Sequence, residues 1–202
     1  MFPGYRRVIY LQQFMFRQAL LRKSVPIGIA GLAFYLLFLP KKYEITFTGN
    51  VPESDPAVVW DFLSDFSNMK KLNPTMIDFT ITSDKATPSV WEYGVRYSEY
   101  LSNLPFIRHS ADATIKSYKV FPVYFVESNH ATCFIGNFFC LNTSSKIKCS
   151  IIDSGAGKTT FVQEDNVYEC PRLAYFFCLS EIVYQRTAVF KNLIKHFENT
   201  KY

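Results

Sequence analysis

Gly155-Ala-Gly157-Lys158-Thr159-Thr160 is the stretch of this chain that comes nearest to a phosphate-binding loop. The full loop needs a glycine five residues before Gly157, and Ile152 stands there. It also needs a helix to follow, whereas Thr160–Tyr168 reads as a strand. A hairpin turn accounts for the glycines, and nucleotide binding is rejected. Three histidines are present, His109, His130 and His196. A hydrolytic triad would set one of them beside a nucleophile and an acid, and no G-x-S-x-G element accompanies them. His109 follows Arg108 near the start of a strand, where it either faces an interior cavity or sits satisfied at the surface. Glu127, Glu164 and Asp165 fall on strands and are expected to face solvent, as charges do on an antiparallel sheet with one wet face. Were one to point inward together with Arg96, the pair would orient the polar end of a ligand. No catalytic residue is assigned.

Five cysteines, Cys133, Cys140, Cys149, Cys170 and Cys178, cannot all pair. Their spacing shows no small-domain disulfide framework, so mostly free, buried thiols are expected. His130-x2-Cys133 with Cys140 and Cys149 is too loosely spaced for zinc, and no C-x-x-C exists. Neither a metal nor another cofactor is expected.

Hydrophobic residues make up 49% of the 202 and charged residues 19%, which excludes disorder as the main state. Aromatics reach 17%, more apolar surface than a minimal core needs. The net charge of +5 is local. Seven of the 22 basic residues lie within residues 1–42, which hold no acid, so the rest of the chain carries 15 basic against 17 acidic residues. A near-neutral globular part is a poor partner for phosphate backbones, so no nucleic acid is expected.

Residues 24–40 are free of charge and bracketed by Arg22-Lys23 and Lys41-Lys42. As a helix this stretch spans about 25 Å, a little under the ~30 Å hydrocarbon core, and snorkelling basic residues can cover the difference. A single-pass or interfacial membrane helix over about 24–40 is therefore expected, with the reticulum and the mitochondrion as candidate membranes. Tyr5–Lys23, basic and modestly amphipathic, reads as an interfacial helix or a targeting segment. Five basic residues before the span against two after it place the N-terminus in the cytosol, where the sequon Asn142-Thr143-Ser144 would lie on the far side. The sidedness stays open.

The remainder, residues 43–202, reads as one α+β domain. Tyr43–Val51 alternates as a strand. Ser54 or Asp55 caps a helix with Pro56 in its first turn, and a shorter helix, Asn68–Leu72, stops before Pro74. Period-two strands are expected at Met76–Ser83, Val90–Leu101, Ser110–Tyr118, Val120–Ser128, Ser145–Asp153 and Thr159–Tyr168. Trp91, Tyr93, Val95, Tyr97 and Glu99 share one face. Arg172–Glu198 reads as one long helix.

That order, with Val51-Pro52, Val59-Trp60-Asp61-Phe62-Leu63-Ser64-Asp65-Phe66, Asn73-Pro74 and Thr159-Thr160-Phe161-Val162 leading to Pro171, resembles the SRPBCC superfamily of START domains and polyketide cyclases. The resemblance covers residues 43–200. It implies a helix-grip fold, a curved antiparallel sheet of six to seven strands wrapped on the C-terminal helix, with an apolar cavity between them. It also implies binding, and in some members transfer, of a lipid, sterol or quinone. Alternation assigns the cavity lining to Trp91, Tyr93, Tyr97, Phe125, Phe177 and Tyr184, with Arg96 near the ligand's polar end. A cyclase-like enzyme and a ligand-free, membrane-tethered interaction module are the alternatives. Oligomeric state is not addressed by any feature of the chain.

Overall fold

Pro40 ends one element and begins another in the computed structural model, which describes residues 25–134, 139–153 and 158–200. Helix α1 runs over residues 25–38, about 21 Å at 1.5 Å per residue. It stops there because proline has no N–H to continue the helical ladder. Its large side chains are exposed, from 43% at Leu36 to 71% at Ile27. Among the described residues no helix is long and apolar enough to cross a membrane, so the span expected over 24–40 is not seen at full length. The segment expected as an interfacial helix, residues 5–23, lies outside the described residues. Helix α1 and Pro171–Leu173 form one unit of the chain, and the sheet with the remaining helices forms the other.

The second unit follows the expected order. Strand β1, Pro40–Val51, leads to helix α2, Pro56–Ser64. The Asp55 carboxylate caps α2 by accepting from the Ala57 N–H at 2.8 Å, and Pro56 occupies the first turn, where its missing N–H costs nothing. A 3₁₀ turn, Phe66–Asn68, leads into the short helix α3, Met69–Leu72. Six strands then run antiparallel, each beside its predecessor: β2 Met76–Ala86, β3 Val90–Leu101, β4 Leu104–Val120, β5 Val123–Phe134, β6 Phe139–Asp153 and β7 Lys158–Pro171. Strand β1 joins the outer edge of β7, giving a seven-stranded sheet in the order β1-β7-β6-β5-β4-β3-β2. The turn read into Gly155–Gly157 lies outside the described residues. The strand that follows it, where a phosphate loop needs a helix, is present.

After a 3₁₀ turn at Arg172–Ala174 comes helix α4, Tyr175–Asn199. Its C-terminal half is bound into the core. Val189, Phe190 and Leu193 are buried against the sheet with Val59, Leu72, Val95 and Val162. Asn192 donates to the Leu72 carbonyl at 2.8 Å, tying α4 to α3. Strand β1 passes so close to α4 at Gly49 that an added Cβ would sit 2.7 Å from the Phe190 ring. The N-terminal half of α4 stands away from this core, and the cavity described below lies beneath it.

The cysteines depart from the expectation of mostly free thiols. Cys133 and Cys140 face each other across β5 and β6 and form a disulfide, and Cys170 at the end of β7 is bonded to Cys178 in α4. Spacing could not reveal this, because strand register and the path from β7 into α4 decide which sulfurs meet. Cys149 is left over, free and buried, and burial pushes its thiol up to about 12.

Candidate ligand-binding cavity

Alternation along β3 turns Tyr93, Val95, Tyr97 and Glu99 to the face covered by α4 and leaves Arg96 outside. The same parity on β5, β6 and β7 brings Ser128, His130, Ser145 and Glu164 to that face. On α4, Glu181 and Arg186 approach from the opposite side. Between them lie two lobes meeting at Tyr97, His130 and Arg186. The inner lobe, about 50 Å³, has Phe66, Tyr93, Ile115 and Val126 among its walls together with Glu164. The outer lobe, about 140 Å³, opens past Phe134, Leu141 and Phe177 and includes His109 and Glu181. A wider depression of about 400 Å³ has Asp112, Thr114, Asn129 and Asn142 in its lining. Most of the side chains around it are polar, and it offers an apolar ligand fewer aromatic and aliphatic walls than the two lobes do.

The polar groups form four clusters. Tyr97 Oη lies 2.9 Å from His130 Nδ1, and His130 Nε2 lies 2.8 Å from Ser128 Oγ. Burial, and next the Arg186 charge, hold the His130 imidazole down to about 3, so it is neutral at pH 7 and donates through one nitrogen while accepting through the other. Burial and then the Glu99 charge push the Tyr97 phenol upward. In the second cluster Glu99 accepts from Asn73 Nδ2 at 2.6 Å, and its other oxygen lies 3.6 Å from His109 Nε2. Asn73 also accepts from the Thr75 backbone and hydroxyl, so the Asn-Pro that ends α3 is what holds Glu99 in place. In the third, Glu164 accepts from Ser145 Oγ at 2.6 Å and lies 3.3 Å from Arg186. Glu181 accepts from both the N–H and the hydroxyl of Ser102, anchoring α4 to the β3–β4 turn.

Of the residues the sequence placed around a cavity, Tyr97 lines both lobes, Tyr93 the inner and Phe177 the outer. The others lie elsewhere. Trp91 has inward parity but sits at the start of β3 beyond the cavity, its ring tilted against Tyr93 and its indole N–H donating to Asp84 at 2.8 Å. Arg96 is on the outer face, in a two-pronged bond to the Asp112 carboxylate at 2.7 and 3.1 Å. Phe125 is one residue out of register. Val126 points in, while Phe125 stacks on Tyr118 outside, with Lys146 above its ring. Tyr184 lies on the exposed side of α4 and lines neither lobe.

Glu164, expected to face solvent, is 1% exposed. The parity of Thr160 and Val162, both inward, was the signal that placed it. Glu127 and Asp165 do face outward, paired with Lys146 and Lys148. His109 takes the interior of its two expected positions. Arg186 and Glu181 carried no local signal, since a charge on a long amphipathic helix ordinarily marks its wet side.

No family model matches the chain, and no curated protein matches it by sequence. Its fold is similar to that of solved structures. An aromatase/cyclase from Streptomyces sp. R1128 is 11% identical, with a TM-score of 0.56 over 78% of this chain and 94% of that one. Human STARD10 is 12% identical, with a TM-score of 0.56 over 77% of this chain and 64% of that one. A protein from Thermus thermophilus is 10% identical, with a TM-score of 0.56 over 79% of this chain and all of that one. At such identities the likeness establishes the helix-grip architecture, a seven-stranded sheet closed by a long C-terminal helix.

Proposed function

We propose that this protein holds an apolar small molecule with one polar end in the cavity beneath α4, and that α1 keeps the domain at a membrane from which the ligand is drawn. One observation carries the binding reading. Where packing alone would place hydrocarbon, open space adjoins Tyr97, Glu99, His130, Glu164 and Arg186. Buried polar groups are costly unless partnered, so their presence beside a cavity supports a guest that completes them. Apolar area leaving the bilayer contributes roughly 25 cal/mol per Å². The lobes are smaller than the roughly 300–1,000 Å³ of ordinary ligand pockets, and a cavity of about 150 Å³ takes benzene. The enclosed portion is therefore ring-sized, and a longer ligand such as a sterol, quinone or lipid extends past half-exposed Phe177. The test is mass spectrometry of molecules retained by the full-length chain after purification in detergent. One class near one per protein is expected, and it should be absent when Ile182, a wall of the outer lobe on α4, is enlarged in the variant Ile182→Trp. A chain that stays empty after incubation with membranes would leave the membrane-tethered interaction module as the better reading.

The exposed apolar surface of α1, with Lys41-Lys42 following it, supports anchoring in a single membrane. Two disulfides support placing the domain on an oxidising side, in agreement with the basic N-terminus remaining in the cytosol. Asn142 is exposed on β6 and would accept a glycan there. A glycosidase-sensitive mobility shift that Asn142→Gln abolishes is the expected result, and its absence argues for the opposite orientation. A second reading, proton transfer on a ligand carbonyl, is favoured by the inward His109–Glu99 pair. It predicts that His109→Asn keeps binding and loses turnover.

A further inference from the structure

The polar groups around the cavity are unevenly matched, and the mismatch describes the ligand's polar end. Among the described residues, Glu99, Glu164, Glu169 and Glu181 line the two lobes against the single guanidinium of Arg186. Glu99 and Glu181 are engaged by Asn73 and Ser102. Glu164 is different. Its side chain is 1% exposed, Oε1 is taken by Ser145 and Arg186, and Oε2 is buried without a partner among the described residues. Arg186 in turn leaves Nε buried without a partner among the described residues. Two side chains joined by one ion pair thus offer the inner lobe one unused acceptor and one unused donor.

We infer, resting on the reading of this cavity as a ligand site, that the enclosed end of the ligand is an uncharged hydroxyl that donates to Glu164 and accepts from Arg186. Amphiphiles ending in phosphate or carboxylate are excluded. A hydroxyl is the smallest group that supplies one donor and accepting lone pairs together. A hydrocarbon end leaves both buried atoms unmatched, at the full desolvation penalty of each. A carboxylate has no proton to give Glu164 and enters beside an excess of carboxyl groups, where little water screens the repulsion.

The experiment is titration calorimetry of the full-length chain in phosphatidylcholine nanodiscs at pH 7, with the heats of empty discs subtracted. The probes are 4-propylphenol, propylbenzene and 4-propylbenzoate, which share a body and differ at one end. The phenol is expected to bind about tenfold tighter than propylbenzene, and the benzoate to show no measurable binding. Glu164→Gln is expected to narrow the gap between phenol and benzoate. If that variant does not fold, the wild-type ranking decides alone. Propylbenzene or propylbenzoate binding as tightly as the phenol overturns the hydroxyl assignment and leaves the cavity reading intact. No heat from any probe overturns the cavity reading itself.

Discussion

Removing the Tyr93 hydroxyl tests how the floor of the inner lobe is held. Tyr93 is 3% exposed, and its Oη donates to the Ser64 carbonyl at 2.6 Å and accepts from the Phe66 N–H at 3.1 Å. Both backbone groups belong to the junction where α2 ends and the 3₁₀ turn begins, so neither has a helical partner to fall back on. Burial drives the phenol's ionisation upward, and it stays a neutral donor throughout the working range. Tyr93→Phe deletes one oxygen, keeps the ring, and strands two buried groups. At about 1–2 kcal/mol for each, the variant should lose about 2–4 kcal/mol. In a domain of this size that lowers Tm by roughly 4–15 °C. Urea unfolding of the full-length chain, followed by circular dichroism, measures it, with an unchanged m-value as the condition for comparison. Tyr118→Phe is the matched control. Its Oη donates to Glu127 at 2.7 Å on the outer face, where water replaces the lost partner, and its loss should stay near 0.5 kcal/mol. Equal losses in the two variants would refute the argument that burial of the junction sets the cost.

Acid should weaken the fold through His130. Its folded pKa, about 3, lies below the unfolded value of about 6.5, so the unfolded chain takes a proton that the folded one refuses, and stability falls as pH drops through that window. Between pH 7 and 4.5 this amounts to roughly 2–3 kcal/mol, which His130→Gln should lack when urea midpoints at the two pH values are compared. In denaturant without reductant, Cys149 alone of the five cysteines should take up iodoacetamide, as read by intact mass. Five adducts would mean that the two disulfides are absent from the protein as isolated. Gly49→Val should cost about 1–3 kcal/mol in urea unfolding, because its first carbon already meets the Phe190 ring, and a neutral outcome would mean that β1 and α4 lie farther apart.

Local signals carried most of the architecture. Asp55-Pro56 marked the start of α2, Asn73-Pro74 the end of α3, and the alternation of Val90–Leu101 one whole strand with its inward face, because caps, proline and side-chain period act within a few residues of chain. The order of these elements was enough to indicate the helix-grip fold. The cavity was less legible. Parity turned Tyr93 and Tyr97 to the covered face, where both adjoin the inner lobe, while Phe125 was exchanged for Val126 because large aromatics also sit on the wet face of this sheet, under Lys146 and beside Tyr118. Arg96 looked like the charge available to a ligand, yet its strand neighbour Asp112 holds it outside.

What the chain determined by itself was where helices and strands begin, which strand faces are apolar, and that its net positive charge comes from its first 42 residues. Only the tertiary structure decided which cysteines meet, and that Glu164 and Arg186 face each other across the cavity from β7 and α4. It also decided that His109 finds Glu99 rather than water. Those partners are set by strand register and by the rotation of one long helix over the sheet. Register is held by strand pairing and the inward set of each strand, and the helix rotation by the packing of Val189, Phe190 and Leu193 into the core, long-range conditions that no local spacing encodes.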